Sequence, residues 1–327
     1  MHVVVAPDKF RGTASASAVA QAVGEVAATL GWTSSLIPLS DGGEGLLDVF
    51  GGPNHFTDVT GPDGRPVRAG WWQEGASAVI ECALASGLAL VGGSEGNDAV
   101  RATSRGTGEL VLAALEAGAT DIVVGLGGSA CSDGGIGALE ALGYARQDAR
   151  ITVCCDVQTR YLDAAVVFGP QKGATPTEVE QLTRGLEAAR ELLRGRLGVD
   201  PQEIPGSGAA GGLGGALAAI GGVLTPGFDF VAGRVGLDQA IAAADLVVTG
   251  EGRLDPSSLD GKVVGGVARM AARHGVSVTA IVGTRDAGLD TGFPVVSLTG
   301  RFGLERALAD VIGCLHDAAA DVLGAQR

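Results

Sequence analysis

The chain has 327 residues, of which 46% are hydrophobic, and this is enough for two domains with separate cores. Its formal net charge of −14 argues against nucleic acid or an anionic membrane surface as a partner, because both require a basic face. The five cysteines form no C-x-x-C pair and the four histidines show no metal-binding spacing, so we expect a cytoplasmic protein without disulfides or structural zinc.

The N-terminal segment predicts a β-loop-α unit. Residues 3–6 are typical of a buried strand, and a polar loop follows at residues 7–12. Residues 19, 23, 26 and 30 then place apolar side chains on one face of a helix that begins near Ser15 or Ser17. A second strand is predicted at residues 36–39, before an acidic turn at 41–45.

The pattern changes between residues 56 and 81, where Pro62 to Gly64 indicate a turn between alternating apolar positions. We interpret this stretch as antiparallel structure and as the entry to a second domain. Further along, strands are predicted at 121–125, 151–155 and 164–168, with helices at 107–118 and after the capping box that Thr175 begins. The uncharged stretch between Glu203 and Asp229 predicts a loop and a buried helix rather than a membrane span.

Alternation of strands and helices returns near the C-terminus. Strands are predicted at residues 246–249, 278–282 and 296–298, with a helix at 263–274. The fold class predicted is therefore α/β with two domains: a Rossmann- or flavodoxin-like parallel-sheet domain from residues 1–52 and 236–327, and a mixed-sheet α/β domain inserted at 53–235. A homo-oligomer is compatible with the pattern.

Four loops carry groups suited to phosphoryl transfer, at residues 7–12, 41–45, 125–135 and 250–255. That reaction needs amide donors around phosphate oxygens, cations, carboxylates for Mg²⁺ and a carboxylate near the attacking hydroxyl. All four of these loops follow predicted strands, and open α/β sheets bind ligands at the carboxyl ends of strands. A G-x-x-x-x-G-K-[ST] P-loop is absent from the sequence.

The lysines also point to these loops. The chain has only three, Lys9, Lys172 and Lys262, against twenty arginines, and all three lie in glycine-flanked polar segments. An anionic substrate would need such a local concentration of positive charge against the acidic field of the whole chain. We therefore predict that at least one of the three has a functional role.

A competing pattern favours an NAD-dependent dehydrogenase of a small hydroxy acid. Gly125-x-Gly127-x-x-Ala130 has the form of a dinucleotide fingerprint, and Gly206-x-Gly208-x-x-Gly211 repeats it. The second copy does not follow a predicted strand, and the first lacks an acid at the expected place after a following strand. The dehydrogenase is therefore the alternative hypothesis.

Over nearly its whole length the chain resembles the type-1 glycerate kinase family. The residues that carry the resemblance are Ala6-Pro-Asp8-Lys-Phe-Arg-Gly12, Asp41-Gly-Gly-Glu-Gly45, Ile80-Glu-Cys-Ala-Leu-Ala-Ser-Gly-Leu88, Gly106-Thr-Gly-Glu-Leu110, Gly127-Gly-Ser-Ala-Cys-Ser-Asp-Gly-Gly135, Phe168-Gly-Pro-Gln-Lys-Gly-Ala174, Gly206-Ser-Gly-Ala-Ala-Gly-Gly-Leu-Gly214, and Gly250-Glu-Gly-Arg253 with Asp255 and Gly261-Lys262.

The resemblance implies ATP- and Mg²⁺-dependent phosphorylation of D-glycerate to a phosphoglycerate, with 2-phosphoglycerate favoured, in a two-domain α/β fold. The chain departs from the family between Tyr144 and Ile151, where the segment is much shorter than usual, and in Gln158 to Arg160. These departures keep a third hypothesis open, a relative that binds ligands and has lost catalysis.

Candidate site residues follow from the loops and the resemblance together. Asp41 is predicted to accept or orient the hydroxyl proton, with Arg253 stabilising charge in the transition state and Asp255 beside it. Glu251 and Asp255 are the predicted Mg²⁺ ligands. The residues predicted to bind substrate or phosphate are Asp8, Lys9, Arg11, Ser129, Asp133, Lys172 and Lys262.

Overall fold

The structure is a computed structural model, and it describes residues 1–10 and 12–326. The strands, numbered in chain order, are β1 His2–Pro7, β2 Thr33–Leu36, β3 His55–Thr60, β4 Pro66–Glu74, β5 Ser77–Glu81, β6 Asp121–Gly125, β7 Arg150–Cys154, β8 Val223–Thr225, β9 Leu246–Leu254, β10 Ser277–Arg285 and β11 Val295–Ser297.

The α-helices are α1 Ala16–Thr29, α2 Leu46–Val49, α3 Ala83–Ser86, α4 Arg105–Glu116, α5 Ile136–Ala141, α6 Ala164–Phe168, α7 Pro176–Leu197, α8 Leu213–Ala219, α9 Gly227–Arg234, α10 Leu237–Ala242, α11 Pro256–Leu259, α12 Val263–His274, α13 Leu298–Phe302, α14 Leu304–Ala309 and α15 Val311–Gly324. Short 3₁₀ turns lie at Leu88–Val91, Tyr161–Asp163, Pro170–Lys172, Pro201–Glu203 and Ala209–Gly212.

The first compact unit consists of residues 1–41 and the chain from Gly227 onward. Its described strands form a sheet in the order β11-β10-β9-β1-β2, and each neighbouring pair is parallel. Val3 and Val5 pack with α1 and α15, whereas Ala280 and Val282 pack with Val264 of α12. Helices therefore cover both faces, as the continuous apolar runs of parallel strands require.

The pairing of β1 with β9 fixes the position of two acidic residues. Val5 lies opposite Val248, and Pro7, the last residue of β1, lies opposite Gly250, four residues before β9 ends. The Asp8 amide continues the pairing by donating to the Gly250 carbonyl at 2.8 Å. Asp8 and Glu251 therefore each come directly after one residue of the pair Pro7 and Gly250, at the carboxyl end of β1.

The second compact unit comprises residues 42–226. Its sheet has the order β3-β4-β5-β6-β7-β8, antiparallel from β3 to β5 and parallel from β5 to β8. The predicted antiparallel entry to a mixed-sheet domain agrees with this arrangement. The α/β fold class with one parallel and one mixed sheet is confirmed.

The two units change over at 41/42 and 226/227, where the sequence suggested 52/53 and 235/236. At the first changeover the reason is a buried carboxylate. Glu81, at the end of β5, accepts hydrogen bonds from the Gly45 amide at 3.1 Å and the Leu47 amide at 2.6 Å. This attaches the acidic turn and α2 to the second sheet.

Three predicted elements differ from the structure. Residues 164–168, predicted as a strand, form helix α6, in which Val166 and Val167 are both exposed at 61% and 52%. A short β-branched run does not distinguish a strand from a helical turn. The second strand begins earlier, at Thr33, and β9 extends to Leu254, so Glu251 and Arg253 lie on a strand rather than in a loop.

The predicted capping box is present at the start of α7. Thr175 accepts from the Glu178 amide, and the Glu178 carboxylate accepts from the Thr175 amide at 2.7 Å. In the uncharged stretch after Glu203 the chain forms a 3₁₀ turn and α8. Among the described residues, no helix has both the length and the apolarity needed to cross a membrane.

We expect the substitution Thr175→Ala to lower the free energy of unfolding of the second unit by about 1 kcal/mol, because it removes the acceptor at the start of α7. Denaturant unfolding followed by circular dichroism measures this. The control is Thr183→Ala on the same helix. The Thr183 hydroxyl donates to the Val179 carbonyl, which is also an acceptor in the backbone hydrogen bonding of the helix, so losing this bond should cost little. Equal effects of the two substitutions would contradict the capping role.

Candidate active site

Asp8 and Glu251 form the centre of an acidic cluster in the first unit. Asp8 is only 8% exposed, and its Oδ1 accepts from the Lys9 amide at 2.7 Å. Lys9 Nζ lies 3.7 Å from the same oxygen. Glu251 is partly buried on β9, and its Oε1 is a buried oxygen without a hydrogen-bond partner. Two carboxylates are thus withdrawn from water with incomplete compensation.

The electrostatics of this cluster favour protonation near neutral pH. Burial raises the pKa of Asp8 to about 6, with the charge of Asp41 adding to the rise and Lys9 and Lys262 opposing it. Burial likewise raises the pKa of Glu251 to about 7, and the negative charge of Asp8 raises it further. Shifts of this size, caused by desolvation plus nearby like charges, are typical of functional sites.

The backbone next to Glu251 has no room for a side chain. A Cβ at Gly250 would collide with the carbonyl oxygen of Ile281 on β10. Glycine at this position therefore allows β9 to keep its pairing with β10 up to Leu254 while Glu251 follows directly. The sequence pattern placed Gly250 in a loop, whereas in the structure it lies on β9, where the close approach of β10 requires a glycine.

Asp255 and Arg253 have partners within the protein. Asp255 Oδ1 caps α11, accepting from the Ser257 amide at 2.8 Å, the Ser257 hydroxyl at 2.6 Å and the Ser258 amide at 3.2 Å. These hydrogen bonds hold the pKa of Asp255 below its usual value. Arg253 is exposed and donates to Asp286 at 3.2 and 3.4 Å. Asp255 therefore acts as a helix cap in this structure.

The predicted cluster is largely brought together in the first unit. Asp41 and Lys262 lie close enough to affect the pKa of Asp8, and Lys262 and Asp255 affect that of Glu251. Lys262 occupies the position before α12, at the amino end of that helix. Arg11, predicted to bind a carboxylate or phosphate, lies outside the described residues.

The acidic cluster suits a Mg²⁺ ion that only one or two protein carboxylates bind. Within the described part of the chain, no three His, Cys, Asp or Glu side chains are grouped to hold a metal ion. Mg²⁺ in phosphoryl-transfer enzymes is usually bound by one or two carboxylates, with phosphate and water completing the shell. The free Oε1 of Glu251, with Asp8 beside it in the sheet, suits that mode. Asp255 suits it less, because its Oδ1 already accepts three bonds.

In the second unit, the glycine-rich loop after β6 turns its carbonyls inward. The Cys82 thiol donates to the Gly127 carbonyl at 3.1 Å, and the Leu88 amide donates to the Gly128 carbonyl at 2.8 Å. The amides of Gly127, Gly128 and Ser129 have no acceptor among residues 1–10 and 12–326. Gly128 has φ +64°, and consecutive free amides next to a left-handed glycine occur in turns that bind anions.

Asp133, in the same loop, has its carboxylate hydrogen-bonded within the protein. Its Oδ2 accepts from the Ser104 amide at 2.8 Å, the Ser104 hydroxyl at 2.9 Å and the Gly137 amide at 3.2 Å, and its Oδ1 accepts from the Gly135 amide at 3.0 Å. These donors occupy both carboxylate oxygens and tie α4 to the start of α5. The predicted contact of Asp133 with a ligand stays a prediction, and the geometry favours a structural role.

Three residues outside the predicted set of site residues hold the glycine-rich loop or the acidic turn at 41–45 in place. Glu44 packs against Gly128 so closely that a Cβ there would collide with its carboxylate. Glu81 holds the amides of Gly45 and Leu47. Asn97 donates to the Ala130 carbonyl at 3.2 Å and the Lys172 carbonyl at 2.8 Å. An acid at the end of the apolar run 78–80 was the available signal for Glu81.

The dinucleotide pattern lacks the geometry that it requires. A fingerprint loop leads at once into a helix whose amino end faces the pyrophosphate. Here β6 ends at Gly125 and α5 begins at Ile136, with Asp133 occupying the amides at the start of that helix. The second copy, at 206–211, follows the 3₁₀ turn Pro201–Glu203. Neither copy has the strand-turn-helix form of the fingerprint.

Comparisons with known proteins agree with one another. The glycerate kinase family model matches residues 3–151 and 145–325, two stretches that overlap in the segment already noted as short. Glycerate 2-kinase of Escherichia coli K12 is 38% identical, covering 92% of each chain, and glycerate kinase of Bacillus subtilis 168 is 36% identical, covering 98% of this chain and 97% of its own. A solved structure from Salmonella typhimurium LT2, provisionally named glycerate kinase 2, superimposes with a TM-score of 0.82 at 34% identity and covers 100% of this chain and 99% of its own.

We expect Glu251→Gln to stabilise the protein in a pH-dependent way. Because the native pKa is about 7 against an ordinary 4.5, the folded protein retains a proton that the unfolded chain loses, so the wild type loses stability as pH rises through this window. The glutamine variant has no such loss. Its gain in unfolding free energy over the wild type should therefore grow with pH, reaching on the order of 2 kcal/mol above neutrality.

The measurement is urea unfolding of the wild type and of Glu251→Gln at several pH values between the ordinary pKa of 4.5 and the native pKa of about 7, and above that. Glu305→Gln is the control, since Glu305 is an exposed acid on α14 of the same unit. A Glu251→Gln difference that stays constant with pH would contradict the raised pKa.

Proposed function

Because the chain belongs to the glycerate kinase family, we propose that it is an ATP-dependent kinase that phosphorylates D-glycerate to 2-phosphoglycerate. The observation that carries the proposal is the buried acidic cluster around Asp8 and Glu251, flanked by Lys9 and Lys262. Phosphoryl transfer depends on positioning and on neutralising charge, and this cluster supplies carboxylates and ammonium groups together. The 2-position is supported by the name of the Escherichia coli relative.

In this proposal the acids of the first unit handle the proton and the cation. Asp41 accepts or orients the proton of the attacking glycerate hydroxyl. A carboxylate positioned for this proton transfer increases the reaction rate. Glu251, with Asp8 next to it, holds Mg²⁺. When bound, Mg²⁺ neutralises negative charge on the phosphate oxygens. Lys9, and Arg11 with its two-pronged guanidinium, hold the glycerate carboxylate or a phosphate.

The glycine-rich loop of the second unit is assigned to anionic oxygens. Its free amides at Gly127, Gly128 and Ser129 provide neutral donors that need no rearrangement when charge develops. Arg253 remains the proposed stabiliser of transition-state charge, which requires it to exchange its exposed ion pair with Asp286 for the substrate. Exposed ion pairs are weak, so this exchange costs little.

A cytoplasmic location is part of the proposal. The five cysteines are free and buried, which suits a reducing compartment, and burial raises the pKa of Cys82 to about 12, so its thiol stays protonated.

The proposed reaction is tested by incubating the protein with MgATP and D-glycerate and measuring ADP release. In the proton-coupled ³¹P spectrum, phosphate on C2 couples to one proton and gives a doublet, whereas phosphate on C3 couples to two and gives a triplet. Formation of the doublet supports the proposal. Tight binding of both substrates without ADP release would favour the inactive ligand-binding relative, and NAD-linked absorbance change would favour the dehydrogenase.

We expect Asp41→Asn to lower kcat at least 100-fold, the lower range for loss of a positioned acid-base group, because the amide cannot accept the hydroxyl proton. Binding of MgADP, measured by calorimetry, should change little. Glu305→Gln on α14 serves as the matched loss of an acid and should keep normal turnover. Near-normal turnover of a folded Asp41→Asn protein would show that another group takes the proton.

A further inference from the structure

Lys172 is a lysine buried inside the second unit. It ends the 3₁₀ turn Pro170–Lys172 and is only 4% exposed. Its Nζ donates to the Ser129 hydroxyl oxygen at 2.9 Å and to the Cys131 carbonyl oxygen at 2.5 Å. Within the described chain, no carboxylate lies at ion-pair distance from Nζ. Burial lowers the pKa of Lys172.

Such a residue is costly to keep. Lysine is almost never fully buried unless it is paired, because its ammonium group loses hydration. Lys172 is 4% exposed and Ser129 is 7% exposed, but Nζ already donates to two acceptors within the protein, so direct binding of substrate by Lys172 stays a prediction. What Lys172 does contact is the glycine-rich loop, at Ser129 and at Cys131.

The backbone of Lys172 is itself held in place. Asn97 donates to the Lys172 carbonyl at 2.8 Å and, with the same nitrogen, to the Ala130 carbonyl at 3.2 Å. The next residue, Gly173, has φ +92°, and a Cβ there would collide with the Ser94 carbonyl oxygen. The lysine therefore reaches the loop from a fixed base rather than from a mobile surface segment.

The direction of the hydrogen bonds decides what Ser129 can do. Lys172 Nζ donates to the Ser129 oxygen, so the hydrogen of that hydroxyl must point elsewhere. Among the described residues, that hydrogen has no acceptor. The free amides of Gly127, Gly128 and Ser129 lie in the same turn. The hydroxyl is thus a further unpaired donor beside three unpaired amide donors.

We propose that Lys172 is a positioning residue that orients the Ser129 hydroxyl so that it donates to an anionic oxygen of a substrate. This rests on the proposed kinase function and specifies the part of the glycine-rich loop that recognises an anion. The anionic oxygen belongs either to a nucleotide phosphate or to the glycerate carboxylate, and both accept hydrogen bonds from hydroxyl and amide donors.

The test measures binding of MgADP and of D-glycerate separately, by calorimetry, to the wild type and to Ser129→Ala, Lys172→Met and the double variant. A hydrogen bond to a charged group corresponds to about tenfold or more in affinity. We expect Ser129→Ala to weaken one of the two ligands by about tenfold and leave the other unchanged, which identifies the source of the anion.

A double-mutant cycle separates positioning from a general structural role. If Lys172 acts through Ser129, Lys172→Met weakens the same ligand in the wild type but adds little once Ser129 is alanine. Circular dichroism and thermal unfolding check that each variant folds. Should Lys172→Met not fold, Lys172→Gln replaces it in the cycle, because Ser129→Ala alone tests only the contact of the hydroxyl with the ligand.

The matched control is Thr183→Ala on α7 of the same unit. The Thr183 hydroxyl is already paired with the Val179 carbonyl and lies outside the glycine-rich loop, so its loss should leave both affinities unchanged. Unchanged affinities in Ser129→Ala, or additive effects in the cycle, would overturn the inference while leaving the kinase function standing. Failure of the wild type to bind either ligand would overturn both.

Discussion

The parallel pairing of β1 with β9 is the constraint on which the candidate site depends. It brings two chain segments that are far apart in sequence side by side, with Asp8 directly after the end of β1 and Glu251 within β9. Burial of both acids, near Asp41, costs free energy in the ligand-free protein. A cation at this position would offset that cost, which supports the proposed Mg²⁺ site.

The anion site proposed in the second unit uses different groups. The chain has a net charge of −14 and only three lysines, one of them enclosed behind the glycine-rich loop. The proposed recognition there uses neutral donors: backbone amides next to a left-handed glycine, and a hydroxyl that accepts a hydrogen bond from a buried lysine. Neutral, fixed donors are effective because they need not reorganise as charge moves during the reaction.

Sequence patterns predicted the fold class, most strands and the loops that carry chemistry, because apolar periodicity and glycine after strands reflect local constraints. They could not tell which carboxylates already accept hydrogen bonds from the protein itself. Asp255 and Asp133 looked like ligands, yet each accepts several hydrogen bonds at a helix start, and Glu81 was overlooked. Which donors surround a carboxylate is decided by tertiary packing, and the same packing made residues 164–168 a helix rather than a strand.

The most direct test of the acidic cluster is the number of protons released when MgADP binds, obtained from calorimetry near pH 6.5 in buffers of different ionisation enthalpy. A cation lowers the pKa of nearby carboxyls. Since Asp8 and Glu251 have pKa values of about 6 and about 7, binding should release a substantial fraction of a proton, and Glu251→Gln should reduce that release. Binding with no proton release in the wild type would contradict the account.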